Sequence, residues 1–180
     1  KKRLLAVFLT AAMTVTLMAG CGVPGGSSDE GDSEGLKRVT YSLREEPPTL
    51  DPQLMNSIPS ATAAIHTCAG LTRNVEGEIR GDGAEDWEVS DDGLVYTFHL
   101  RDGLKWSDGE DLTAEDYVYG IQRLMDPATA STYSFLGAIL KNGNAVNAGE
   151  MEVSELGVTA PDESTVEITL EHPATYFTAM

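Results

Sequence analysis

Alternating apolar and polar residues predict three β structures along the chain. Residues 94–100 place a large apolar side chain at every second position, which is the period of a strand with one buried face. Residues 39–43 alternate in the same way, and the prolines that follow would end that strand. Residues 156–160 and 165–170 predict a hairpin, because turn-forming residues separate two short alternating runs.

Apolar residues at helical spacing predict two helices and a shorter third. One helix starts at Ser60, and Gly70 is placed to close it. Thr113 is a candidate N-cap for the second helix, with Asp116 in the place of the capping-box acid. Residues 134–140 fit a further short helix. The mixture indicates an α/β or α+β domain without the regularity of a doubly wound enzyme domain.

Several residues are assigned to the interior or the surface from their neighbours. Cys68 lies among small apolar residues, which suits a small buried thiol rather than a reactive one. Trp87, Phe98 and Trp106 are expected in the core. The acidic residues between 82 and 92 lack the register of a calcium loop, so a solvated acidic face is the better interpretation.

The first 36 residues follow the order of an export signal, a lipid attachment site and a linker. Residues 1–20 combine a basic start with an uncharged stretch that is short for a membrane span and ends in small residues, as a cleaved signal peptide does. Cys21 follows Ala19 and Gly20 as in a bacterial lipobox, which predicts lipidation of its thiol. Residues 21–36 thus predict a lipidated cysteine and a disordered acidic linker. The alternative is an ordinary secretory signal with an incidental cysteine.

Charge and the absence of catalytic motifs narrow the classes of function. The formal net charge is −17, which repels phosphate backbones and disfavours nucleic acid as a partner. None of the three histidines, His66, His99 and His172, has another histidine or cysteine at the spacing of a metal site. The sequence has no nucleophile elbow, phosphate-binding glycine loop or His-Glu-x-x-His motif. We therefore expect neither an enzyme nor a bound metal or cofactor.

One long stretch resembles a known family. Residues 87–123 are similar to the signature region of the bacterial family 5 extracellular solute-binding proteins, the peptide- and nickel-binding components of ABC importers. The resemblance is carried by Arg101-Asp102-Gly103-Leu104-Lys105-Trp106-Ser107-Asp108-Gly109, by Leu112-Thr113-Ala114-Glu115-Asp116-Tyr117 and, upstream, by Leu50-Asp51-Pro52-Gln53. Residues 122–133 look like the oligopeptide-binding branch in particular.

The resemblance implies an α/β fold of the type II periplasmic-binding-protein architecture. In that architecture two lobes joined by a hinge close over the ligand, and a peptide lies extended between them, held mainly through its backbone. Residues 37–180 would form the N-terminal portion of the solute-binding domain, in lobe I only, with the second lobe and the hinge missing. We accordingly expect the chain to be a piece of a longer protein.

The resemblance also implies ligand contacts and partners. Asn56, Ser57 and Ile58 match a loop that touches the ligand backbone, and Tyr133 matches a tyrosine that reaches the peptide. The implied partners are an oligopeptide and the permease subunits of an ABC importer, with a monomer held on the outer face of the cell membrane by the lipid on Cys21. Alternatives are a relative that binds dipeptides, a nickel complex or another small solute, or else a secreted hydrolase or adhesin. For Tyr133 the alternative is a half-buried packing role.

Overall fold

The computed structural model describes residues 39–180, so the predicted signal peptide, Cys21 and the acidic linker lie outside the described residues. Ser42–Met180 forms a single compact unit, and the fold below is that of this unit. Its elements in chain order are α1 (Ile58–Thr67), β1 (Thr72–Val75), β2 (Glu78–Gly81), β3 (Ala84–Val89), β4 (Val95–Leu100), α2 (Ala114–Met125), a 3₁₀ helix at Ser134–Ile139, α3 (Gly143–Asn147), a 3₁₀ helix at Val153–Glu155, β5 (Val158–Asp162), β6 (Thr165–Thr169) and a 3₁₀ helix at Phe177–Ala179.

A four-stranded sheet in the order β3-β4-β6-β5 forms the centre, and neighbouring strands are antiparallel throughout. The predicted alternation in β4 is confirmed, since Tyr96, Phe98 and Leu100 are all buried. Phe98 lies opposite Val166 of β6, which is also buried. The predicted hairpin is confirmed as β5 and β6. Sequence-distant strands thereby share one hydrophobic core.

Helix α2 covers this sheet by packing against β5 and β6. Its predicted start is confirmed: the backbone N–H of Thr113 donates to Asp116 Oδ2 at 2.8 Å, the reach-back bond of a capping box. The backbone N–H of Ala114 donates to the Glu163 carbonyl at 2.9 Å, which fastens the helix start to the β5–β6 turn. Val118 and Met125 are buried beneath the helix. The apolar stripe of α2 thus faces the core.

Helix α1 is present as predicted, but it ends earlier than expected. The extended backbone of Cys68, with ψ at 145°, ends the helix, and its N–H donates to the Ala64 carbonyl at 2.8 Å. Gly70 is therefore not the closing residue. Cys68 itself is an exposed free thiol, which contradicts the prediction of a buried one. The small residues around it lie on a helix end that is open to solvent, so they do not form an interior.

The predicted strand at residues 39–43 is wrong, because the backbone there is irregular. A short alternating run gives a strand only where another strand completes its ladder. The structure also contains strands that the sequence pattern missed, namely the hairpin of β1 and β2 and the edge strand β3. The hairpin turn contains Glu76 and Gly77 at positive φ, and a glutamate there gives a weak turn signal.

The acidic stretch between residues 82 and 92 has two roles. Glu85, Asp86 and Glu88 are exposed along β3 at the edge of the sheet, in agreement with a solvated acidic face. Charge on an edge strand also protects it from pairing with other chains. Asp82 instead accepts hydrogen bonds from Arg73 and from the backbone N–H of Gly70.

Within residues 39–180 no helix is long and apolar enough to span a bilayer.

Candidate functional site

The described residues form an open cavity of about 1120 Å³. It lies between α1 with its preceding loop, α2, the turn around Trp106 and the last residues of the chain. All four residues that the sequence assigned to ligand binding line it: Asn56, Ser57, Ile58 and Tyr133. The structure therefore brings together two segments more than seventy residues apart in sequence.

An Arg123–Asp51 ion pair fixes the loop that carries Asn56, Ser57 and Ile58. Arg123 of α2 donates to both carboxylate oxygens of Asp51 at 2.6 Å each, and also to Gln53 Oε1 at 2.8 Å. Gln53 Nε2 in turn donates to the Gly120 carbonyl at 3.2 Å. The planar guanidinium suits this bidentate geometry, so the loop is joined to the helix in one orientation. The Leu50–Gln53 and Gln122–Arg123 motifs of the sequence are thus in contact.

The same ion pair shifts both ionisation equilibria. Hydrogen bonds from the Arg123 guanidinium hold the pKa of Asp51 below its ordinary value, and the backbone N–H of Gln53 acts in the same direction. The Asp51 carboxylate correspondingly raises the pKa of Arg123. Both side chains are charged at neutral pH, and the ion pair therefore holds the loop in place at that pH.

Ser57 begins α1 and uses its side chain locally. Its hydroxyl oxygen accepts the backbone N–H of Ser60 at 3.4 Å, and its carbonyl accepts the N–H of Ala61 at 3.0 Å. Pro59 has no N–H, and the Ile58 N–H has no hydrogen-bond partner among the described residues. This N–H therefore remains free at the helix N-terminus. Acceptor groups are favoured there, because the free donors and the positive end of the helix dipole both attract them.

Tyr133 lines the same cavity, directly before the 3₁₀ helix at Ser134–Ile139. Its backbone N–H donates to Ser131 Oγ at 3.2 Å, which fixes the start of that helix. Its ring packs against that of Phe135 in a tilted arrangement, with a centroid separation of 5.7 Å. Its hydroxyl makes no hydrogen bond with any residue from 39 to 180 and is available to a ligand.

Trp106 lines the cavity, which contradicts its predicted place in the core. The backbone N–H of Trp106 donates to the Glu110 carbonyl at 2.9 Å, and the Gly109 N–H donates to the Trp106 carbonyl at 3.0 Å. These bonds close a tight turn at the surface of the unit. The Trp106 indole therefore does not pack into the core and is exposed at the cavity. The Ser-Asp-Gly sequence directly after Trp106 was the signal that could have placed it there.

Two side chains of opposite charge line the cavity, and each has a partner outside it. Lys105 pairs with Asp111 at 2.6 Å, and Asp116 accepts the Thr113 N–H described above.

The buried hydroxyl of Tyr117 has no hydrogen-bond partner within the described part of the chain. Burial raises the pKa of Tyr117, with smaller contributions from Asp82 and Asp116. Residues 39–180 contain no group of His, Cys, Asp or Glu residues placed to hold a metal ion.

Comparisons with known proteins agree with this architecture. The family model "Bacterial extracellular solute-binding proteins, family 5 Middle" matches residues 78–180, more than half of the chain. The chain is 37% identical over 184 residues to the oligopeptide-binding protein OppA of Bacillus subtilis, covering 100% of this chain and 34% of that protein. It is 44% identical over 143 residues to the "Probable deoxycholate-binding periplasmic protein YgiS" of Escherichia coli, covering 78% of this chain and 27% of that protein.

A solved structure is similar in both sequence and fold. It is the substrate-binding domain of an oligopeptide ABC transporter from Bacillus anthracis, 42% identical, with a TM-score of 0.72 over 74% of this chain and 26% of that one. The chain thus spans about a third or less of the relatives that it matches. The expected periplasmic-binding-protein fold is confirmed for this part. The chain belongs to the bacterial extracellular solute-binding proteins of family 5.

Proposed function

We propose that this chain is the N-terminal portion of a protein that captures oligopeptides outside the cell and delivers them to the permease subunits of an ABC importer. The observation that carries the proposal is the meeting of Asn56, Ser57, Ile58 and Tyr133 at one cavity. The names of the oligopeptide-binding relatives support the same class of solute.

The chemistry of the cavity suits recognition of a peptide main chain. The free N–H of Ile58 can donate to a peptide carbonyl, and the hydroxyl of Tyr133 can donate or accept. Asn56 is exposed beside them and adds a donor and an acceptor. Because these contacts address atoms that every peptide has, they supply affinity without requiring one sequence. A second lobe would supply the remaining contacts and close over the peptide.

Calorimetry of the full-length protein with peptides of three to five residues tests this proposal. We expect the protein to bind the peptide and to release it unchanged, without hydrolysis products. Ile58→Pro removes the free N–H while position 58 stays in the first turn, where proline is tolerated. It should weaken peptide binding by roughly tenfold, the effect of losing one well-placed hydrogen bond. Ile58→Val, which keeps the N–H, is the matched control. Full-length protein that binds no peptide would refute the proposal.

The proposed attachment to the membrane rests on Cys21 and the residues before it. A diacylglycerol on Cys21 would hold the mature protein at the outer face of the cell membrane, because two acyl chains give stable anchoring where one does not. Residues 21–36 would then act as a flexible spacer, and the protein would work as a monomer. Cys21→Ala should move the protein from the membrane fraction to the soluble fraction. Cys68→Ala is the control and should leave it in the membrane fraction.

A second candidate, within the same family, is a receptor for a small amphipathic solute. The cavity is lined chiefly by apolar residues, and one relative is named for binding a bile acid. Titration of the full-length protein with deoxycholate and with a peptide mixture separates the candidates. Binding of the steroid alone would favour the second.

A further inference from the structure

The cavity has an apolar side that the predicted ligand residues do not account for. Large apolar side chains line it while remaining well exposed to solvent, among them Ile58 at 84% exposed, Trp106 at 49%, Tyr133 at 42% and Leu136 at 39%. Two of them, Trp106 and Leu136, have no assigned role. Exposed apolar groups gathered at one concave surface mark a place where another apolar group is received.

Trp106 is held at this place by its own turn. The ion pair between Lys105 and Asp111 and the hydrogen bond from the Trp106 N–H to Glu110 cross the hairpin on which it lies. The other tryptophan, Trp87, instead packs against Phe98 in the core with a centroid separation of 6.2 Å and does not line the cavity. Trp106 is thus a rigid aromatic surface facing the cavity, while Trp87 is a structural residue.

The electrostatics of the cavity lining disfavour an anionic group. The chain has 29 acidic residues, yet Asp116 is the single carboxylate among the cavity-lining residues that the structure describes. Lys105 is already paired with Asp111, so an anionic ligand group would lose water without gaining an ion pair there. The net negative charge of the protein further disfavours an anionic group.

We propose that Trp106 is a specificity-determining residue and that Trp106 and Leu136 belong to an apolar subsite for one bulky, apolar side chain of the bound solute. The proposal rests on the proposed capture of peptides and adds a preference to it. Main-chain contacts admit many peptides, and the subsite ranks them by the side chain placed against Trp106. The tryptophan supplies a large contact area at a small cost in side-chain entropy.

The test uses the full-length protein and a peptide scan. Penta-alanine and derivatives with one position changed to Phe, Leu, Asn or Asp are titrated by calorimetry. At one position, Phe and Leu should bind roughly tenfold more tightly than Asp and Asn, the discrimination typical of an apolar pocket. Trp106→Ala should remove most of that preference while changing the affinity for penta-alanine by less than about threefold. Trp87→Phe is the control variant and should keep the preference.

Each outcome decides between the proposals. Peptide binding that shows no side-chain preference at any position, or a preference that survives in Trp106→Ala, overturns the subsite and leaves peptide capture intact. Absence of binding to every peptide refutes peptide capture itself. Trp106→Leu keeps an apolar side chain and covers the case in which the alanine variant does not fold. It should keep the preference for Phe and Leu over Asp, though weakened, whereas equal binding of all four would overturn the subsite.

Discussion

At the scale of single residues, two buried tyrosine hydroxyls have opposite environments. Tyr96 Oη donates to the Ala174 carbonyl at 2.9 Å inside the core. The hydroxyl of Tyr117 is buried without a hydrogen-bond partner in residues 39–180, and it closes the space next to Gly83, where any larger residue would meet it. A satisfied buried hydroxyl stabilises a fold, while an unsatisfied one costs free energy.

We therefore expect the two Tyr→Phe variants to change stability in opposite directions. Tyr117→Phe should raise the free energy of unfolding by about 1 kcal/mol, because it removes an unsatisfied polar group. Tyr96→Phe should lower it by about 1 kcal/mol, because the Ala174 carbonyl loses its donor. Urea denaturation of the full-length protein measures both values. A loss of stability in Tyr117→Phe would show that its hydroxyl has a partner.

At the scale of elements, the binding loop depends on α2 through the Asp51–Arg123 pair. The pair joins residues 72 apart in sequence and lies next to the Asn56–Ile58 loop. Because the pKa of Asp51 is lower in the folded protein than its ordinary value of 3.8, the pair contributes fully above that value. The contribution is lost as the pH falls through the lowered folded pKa.

Asp51→Asn should therefore reduce the fall in stability on acidification. The measurement is the urea midpoint of full-length protein at pH values from neutral to below 3.8. Asp92 and Asp162, whose pKa values are also lowered by hydrogen bonds from Ser90 and Ser164, should leave a residual slope. Glu115→Gln, an exposed change on the same helix, is the control and should keep the full slope. An unchanged slope in Asp51→Asn would contradict the role of the pair.

The start of α2 gives a second prediction at this scale. Asp116→Ala removes the acceptor for the Thr113 N–H and should lower the free energy of unfolding by about 1 kcal/mol, as loss of a helix cap does. Glu115→Ala, in the same first turn but outside the capping box, should have a smaller effect. Equal effects of the two changes would indicate that only the charge near the helix N-terminus matters.

At the scale of the whole molecule, the described unit is a folded core with one open wall. The sheet joins two pairs of strands, β3 and β4 from residues 84–100 and β5 and β6 from residues 158–169, so its core is formed only when distant parts of the chain meet. The chain covers 34% of OppA from Bacillus subtilis. An open cavity presents contacts on one side of a ligand only, and a two-lobed protein gains affinity by enclosing it.

We therefore expect the 180-residue chain by itself to bind peptides at least about a hundredfold more weakly than the full-length protein, since the contacts of the closing lobe are absent. Parallel calorimetric titrations with one pentapeptide measure the ratio. Circular dichroism of the isolated chain confirms that it is folded during the comparison. Equal affinities would mean that the described cavity is the complete site.

The periodic elements and the family were predictable because their signals are local. The alternation in β4, the capping residues of α2 and the turn between β5 and β6 each act over a few neighbouring residues. The edge strand β3 was missed, because acidic residues are depleted in strands and its pairing with β4 is what stabilises it. The strand expected at residues 39–43 failed for the complementary reason that local alternation was its whole basis.

The sequence by itself determined the mixed class of the fold, the strongly acidic surface and the family, since these follow from composition and short motifs. Tertiary structure decided which residues meet at the cavity: it joined Asp51 to Arg123 and brought Tyr133 to the cavity that Ile58 also lines. It also turned Trp106 outward and left Cys68 exposed, against the local pattern. Burial and contact depend on which distant segments pack together, and no local periodicity records that.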